Sequence, residues 1–145
     1  DVEVMLMVQG RDGSQPLHPI LVSQAIAEIR ASKLPDRKKI GTAGSFFQNP
    51  IISSQEYKSL QQQFPDIKWN IVTQDMIKLS AAQLIEWVEL KWYRNGDAGI
   101  YDHHALVLVN YGNATGEQMK DLIQSVQDKV YNTYWFLLQP EVNIY

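Results

Sequence analysis

A chain of 145 residues has the length of one domain, and a hydrophobic fraction of 45% supports a core rather than a disordered segment. Thirteen Lys and Arg against sixteen Asp and Glu leave a net charge of −3, which disfavours non-specific binding to nucleic acid or anionic membranes. The absence of cysteine excludes disulfides, thiolate metal sites and cysteine nucleophiles together. No apolar run approaches the roughly 20 residues of a membrane span. Asp1 opens directly into strand-like residues without a signal peptide, and the chain reads as a domain cut from something longer.

In chain order, residues 2–8 (VEVMLMV) are β-branched and apolar and predict a strand, ended by the turn Gly10-Arg11-Asp12-Gly13. Over 19–31, Val22, Ala25, Ile26 and Ile29 recur at helical spacing, and Pro19 suits a first turn. Residues 33–50 (KLPDRKKIGTAGSFFQNP) read as a loop rich in Pro, Gly and basic residues. Ser53 and Glu56 have capping-box spacing ahead of an apolar face of Tyr57, Leu60 and Phe64, in a helix that should stop before Pro65. A third helix is expected from near Ser80, burying Leu84, Ile85 and Val88. Residues 105–109 (ALVLV) give the strongest strand signal, apolar throughout as a buried strand is.

Thr115 and Gln118 form a second capping box, opening a helix with Met119, Leu122, Ile123 and Val126 on one face. Strand-like residues 135–138 and 142–145, split by Pro140, close the chain. Helices and strands mix without repeats or regular βαβ alternation. The expected fold class is α+β: a single compact domain with a mixed sheet and about four helices.

Chemistry is most concentrated in residues 41–50 (GTAGSFFQNP). Glycines there let the backbone approach a ligand closely, while Ser45 and Asn49 offer a hydroxyl and an amide. The same residues also suit an ordinary Gly-rich connection anchored by Phe46 and Phe47. Upstream, Lys33, Arg37, Lys38 and Lys39 suit phosphate as point charges, or a solvated loop. His103 and His104 are adjacent, and in extended chain their side chains face opposite ways, which argues against a shared metal. Glu141, between Pro140 and Val142, is either a capped edge or a carboxylate with a perturbed pKa.

The run Lys33-Leu34-Pro35-Asp36, followed by Gly41-x-Ala43-Gly44-Ser45-Phe46-Phe47-x-Asn49-Pro50, resembles the signature of the UDP-N-acetylenolpyruvoylglucosamine reductase (UDP-N-acetylmuramate dehydrogenase) family. Three later segments agree in order and spacing: Leu84-Ile85-Glu86 with Lys91, Ala105-Leu106-Val107-Leu108-Val109-Asn110, and Leu138-Gln139-Pro140-Glu141-Val142. The resemblance covers nearly the whole chain, and only the family's C-terminal domain.

It implies that residues 1–145 are a substrate-binding C-terminal domain whose N-terminal FAD-binding domains are absent from this chain. The family reduces UDP-GlcNAc-enolpyruvate with NADPH through bound FAD, in the cytoplasm, for peptidoglycan synthesis in cell-wall biogenesis. The partners implied are the UDP-sugar substrate and the missing flavin domains, and the chain alone should be inactive. By the same resemblance Ser45 is the proton donor and Glu141 the assisting carboxylate. Lys33, Asn49, Lys91 and His104 then line the substrate, with His104 where relatives commonly carry Gln.

Departures fall at Ala82-Gln83, where the family often has Gly-Trp, and at Trp92, where it has Gly. No tyrosine precedes Tyr57, and a substrate-side tyrosine of the family falls near Asn70. A diverged, non-catalytic binding module of the same fold is the alternative reading.

Overall fold

The computed structural model describes residues 19–144. Helix α1 (Pro19–Lys33) is followed by β1 (Gly41–Ser45), β2 (Ile51–Ser53), α2 (Ser54–Gln63), β3 (Trp69–Thr73), β4 (Met76–Leu79) and α3 (Ala81–Trp87). Strands β5 (Arg94–Asn95), β6 (Ala98–Ile100) and β7 (Val107–Asn110) and helix α4 (Gly116–Tyr134) complete it. The class is α+β. The strand expected at residues 2–8 and its turn lie outside the described residues.

In place of one mixed sheet, the described strands form two antiparallel sheets, ordered β1-β7-β6-β5 and β2-β4-β3. The connections explain this. Two-residue turns join β3 to β4 and β5 to β6, and such short links join only antiparallel neighbours.

Both capping boxes form as expected. The Ser53 and Thr115 hydroxyls accept from the Glu56 and Gln118 backbones, and those side chains accept in return from Ser53 and Thr115 N–H. Helix α2 ends before Pro65, and α3 starts behind its Ser80 cap with Leu84 and Ile85 fully buried. Helix α4 lays Leu122, Ile123, Val126, Val130 and Tyr134 against β6, β5 and α3. The core gathers there, with Leu90, Ile100, Val107, Val109 and Leu138. On α1 only Ala25 of the expected face is buried, and Ile26 is exposed.

Four expectations change. The supposed loop at 33–50 contains β1, whose Gly-Thr-Ala-Gly-Ser run carries little strand propensity and is held by pairing with β7. Strands β2, β3, β4, β5 and β6 were not foreseen, and every residue of β3 is exposed. Strand β7 begins at Val107 rather than Ala105, because the Leu106 N–H donates to His104 Nδ1 instead of to a neighbouring strand. Residues 135–138 are not a strand: α4 runs through Tyr134, Trp135 ends it in the left-handed region, and Gln127 Nε2 holds the Leu138 carbonyl. Residues 142–144 are irregular too, and just before them Pro140 forms an isolated bridge with Phe47.

Candidate functional site

Strand β1 carries a bulge. Thr42 faces Val109 and Ser45 faces Val107, so three steps on β1 match two on β7. Gly44 absorbs the extra residue at φ 88°, its N–H donating to Thr42 Oγ1, which itself donates to the Leu108 carbonyl. The bulge ends the regular ladder and leaves Ser45 exposed at its last position. Immediately behind it, Phe46 and Phe47 are buried edge to face, ring centroids 5.0 Å apart. They anchor the exposed serine to the core.

The chain's last residues return to this point. Gln48 N–H donates to the Gln139 carbonyl at 2.9 Å, and Glu141 N–H donates to the Phe46 carbonyl at 2.7 Å. Residues 46–48 and 139–141 thus run side by side, and Glu141 lies across from the neighbour of Ser45. Both residues are exposed.

A second group forms where α1 and α3 end near the turn before β7. His104 is half-buried, and because its Nδ1 accepts from Leu106 N–H, the proton of the neutral ring sits on Nε2. Burial lowers its pKa, the Lys33 ammonium lowers it further, and the Glu86 carboxylate opposes both. Glu86 also faces Lys91, Nζ to Oε1 3.8 Å. Lys33, Glu86, Lys91 and His104 therefore form one cluster of charges around an imidazole. His103 is separate, exposed and 3.8 Å from Asp102.

Asn49 is partly committed. Its Oδ1 accepts from Ala81 N–H at 2.9 Å, satisfying an open donor at the start of α3 and leaving the amide nitrogen to meet a ligand. Gln83, one of the departures, has a structural task. Its side chain accepts from Lys68 N–H and donates to the Asp66 carbonyl, fixing the approach to β3.

The turn after α3 is unusual. Glu89 at φ 59° belongs to the helix end, where Glu89 N–H reaches the Glu86 carbonyl and Leu90 N–H the Ile85 carbonyl. Tyr93 N–H then closes a four-residue turn on the Leu90 carbonyl, with Lys91 second and Trp92 third at φ 68°. That third position favours glycine. A bulky residue there costs roughly 1–2 kcal/mol. The Lys91 ammonium sits 5.5 Å from the Trp92 ring centroid, and an exposed contact of this kind offsets only about 0.5–1 kcal/mol.

Sequence reasoning missed Glu86 as part of this cluster and Gly44 as the residue that re-aims Ser45. The spacing of Glu86 from Lys91 was visible, but nothing in it said that the turn folds them together. A groove of about 580 Å³ between α2 and the residues after α4 contains none of these groups. The candidate site therefore lies apart from that groove.

Residues 35–145 match the family model described as "UDP-N-acetylenolpyruvoylglucosamine reductase, C-terminal domain". Relatives named UDP-N-acetylenolpyruvoylglucosamine reductase include those of Flavobacterium johnsoniae (43% identical over 123 residues, 85% of this chain and 36% of the relative) and Chromobacterium violaceum (43% over 141, 97% and 40%). That of Xanthomonas euvesicatoria is 46% identical over 124 residues, 85% of this chain and 35% of the relative. The chain thus spans between 35% and 40% of the length of these relatives. With the family's motif at the β1 bulge and the model matched over most of its length, the chain belongs to the UDP-N-acetylenolpyruvoylglucosamine reductase family and carries its C-terminal domain.

Proposed function

We propose that the chain is the substrate-binding domain of an FAD-dependent oxidoreductase that uses NADPH to reduce UDP-GlcNAc-enolpyruvate to UDP-N-acetylmuramate, in cytoplasmic peptidoglycan synthesis. The observation that carries this reading is the pairing of residues 46–48 with 139–141, which brings Glu141 beside the segment that presents Ser45.

The described residues do not fit a flavin dinucleotide of their own. Each capping side chain takes up one N–H at the start of α2, α3 and α4, and the sequence carries no G-x-G-x-x-G turn of the dinucleotide-binding kind. We therefore assign the flavin to the family's other domains, and this chain alone is expected to turn over no substrate.

Reduction of an enolpyruvyl double bond ends with a proton reaching the carbon that bears the carboxylate. Ser45 is the hydroxyl in place to give it. An unaided hydroxyl is a poor acid, so the oxygen left behind needs nearby donors or positive charge. Glu141 is the carboxylate that assists the enolate and the proton. Lys33 and Lys91 supply ammonium groups for a diphosphate, with the Asn49 amide nitrogen and His104 Nε2–H as further donors.

The test uses the enzyme with its flavin domains. Ser45→Ala lowers turnover of the enolpyruvyl UDP-sugar by about 10²–10⁴-fold and leaves NADPH consumption without substrate unchanged. Glu141→Gln keeps its melting temperature and loses at least about 10²-fold in turnover. Normal turnover in both variants would remove the assignment.

A further inference from the structure

We propose that Trp92 sets ligand specificity at this surface, its indole stacking on the planar base of a nucleoside diphosphate whose phosphates reach Lys91. This rests on the reading of Lys91 as a diphosphate ligand.

Among the described residues three that are not glycine have positive φ: Glu89, Trp92 and Trp135. Glu89 and Trp135 each end a helix, where the left-handed conformation lets their N–H groups bond back to helix carbonyls. Trp92 has no such task. It fills the third place of a tight turn, where glycine would serve the backbone better.

Nor does the side chain serve the core, since Trp92 is 67% exposed. Holding Lys91 does not account for it either, because Glu86 already stands 3.8 Å from that ammonium. What the turn achieves is geometric. Successive side chains in extended chain point apart, whereas here the indole and the lysine of adjacent residues lie together, 5.5 Å from Nζ to ring centroid. The ammonium lies over one face of the ring, and with Trp92 so exposed the remaining indole surface and that cation together form the pattern that takes a base with its phosphates. Base stacking on an indole uses the ring's face and needs no hydrogen bond.

The experiment titrates the 145-residue chain with UDP and, separately, with inorganic pyrophosphate, followed by NMR. Trp92→Gly is expected to weaken UDP binding about tenfold or more, leave pyrophosphate binding unchanged and melt no lower than the parent. Trp92→Phe should keep most of the UDP affinity, and Lys91→Ala should weaken both probes. UDP carries no amino sugar, so a loss with UDP assigns the contact to the nucleoside. Unchanged UDP affinity in Trp92→Gly overturns the proposal and leaves the role of Lys91 standing. Equal loss of UDP and pyrophosphate overturns it in favour of a residue that positions the lysine. Binding of neither probe by the parent chain overturns both this proposal and the reading on which it rests.

Discussion

Strands β7 and β3 are both short and largely apolar, and both belong to antiparallel sheets, yet their surroundings are opposite. Val107, Leu108 and Val109 of β7 are buried between β1 and β6, in the layer that α4 covers. All five residues of β3 are exposed, and it lies at the edge of its sheet with β4 as its one described partner. The sheet that carries Ser45 is the one with the buried centre. A serine at the end of a strand can hold its direction only if the neighbouring strand is fixed, and β7 supplies that fixity.

The contrast is tested most strongly by two truncations. Leu108→Ala, at 2% exposure, should lower unfolding stability by about 2–5 kcal/mol in a denaturant titration. Ile71→Ala, at 69% exposure, should stay within about 0.5 kcal/mol of the parent. Equal losses would mean that the two sheets share the load.

Gly44→Ala comes next. A Cβ there meets nothing within 4 Å, so its cost is purely that of φ 88°, about 1–2 kcal/mol. Turnover in the flavin-bearing enzyme should fall by more than that loss of stability explains, because the bulge aims Ser45. A variant that is destabilised but fully active would show that the bulge serves β1 alone.

The smallest effect is one of pH. His104 has a lowered folded pKa, so as pH falls the unfolded chain takes up the proton first. Its contribution to stability is complete above the ordinary value of 6.5 and is lost as pH drops through the folded value. Melting temperatures taken from about pH 7 down to 5 should fall in the parent and fall less in His104→Gln. Identical slopes would take the imidazole out of the cluster's electrostatics.

The legible parts of this fold were those with local causes. Ser53 and Thr115 announce their helices by capping chemistry, and residues 105–109 announce by composition a buried strand that forms from Val107. Strand β1 was illegible because Gly41, Ala43 and Gly44 carry no strand signal; β7 imposes the pairing from across the chain. The aromatic run after α4 misled in the other direction, since Trp135 and Phe136 favour strands in isolation while α4 and Gln127 dictate their course. Of the candidate site, motif resemblance supplied Ser45, Glu141, Lys33 and Lys91. Two local arrangements were not legible, the return of residues 139–141 to 46–48 and the turn that carries Lys91, because both depend on pairing and turns that no local pattern announces.

That return has a kinetic consequence. Glu141 and Phe46 are joined by a hydrogen bond across most of the described chain, and closing a loop of that length costs about 4 kcal/mol of entropy before any contact offsets it. Helices α2, α3 and α4 close only local loops and can form first, so the two halves of the candidate site should meet late in refolding. Recovery of ligand binding should then lag behind recovery of helical signal.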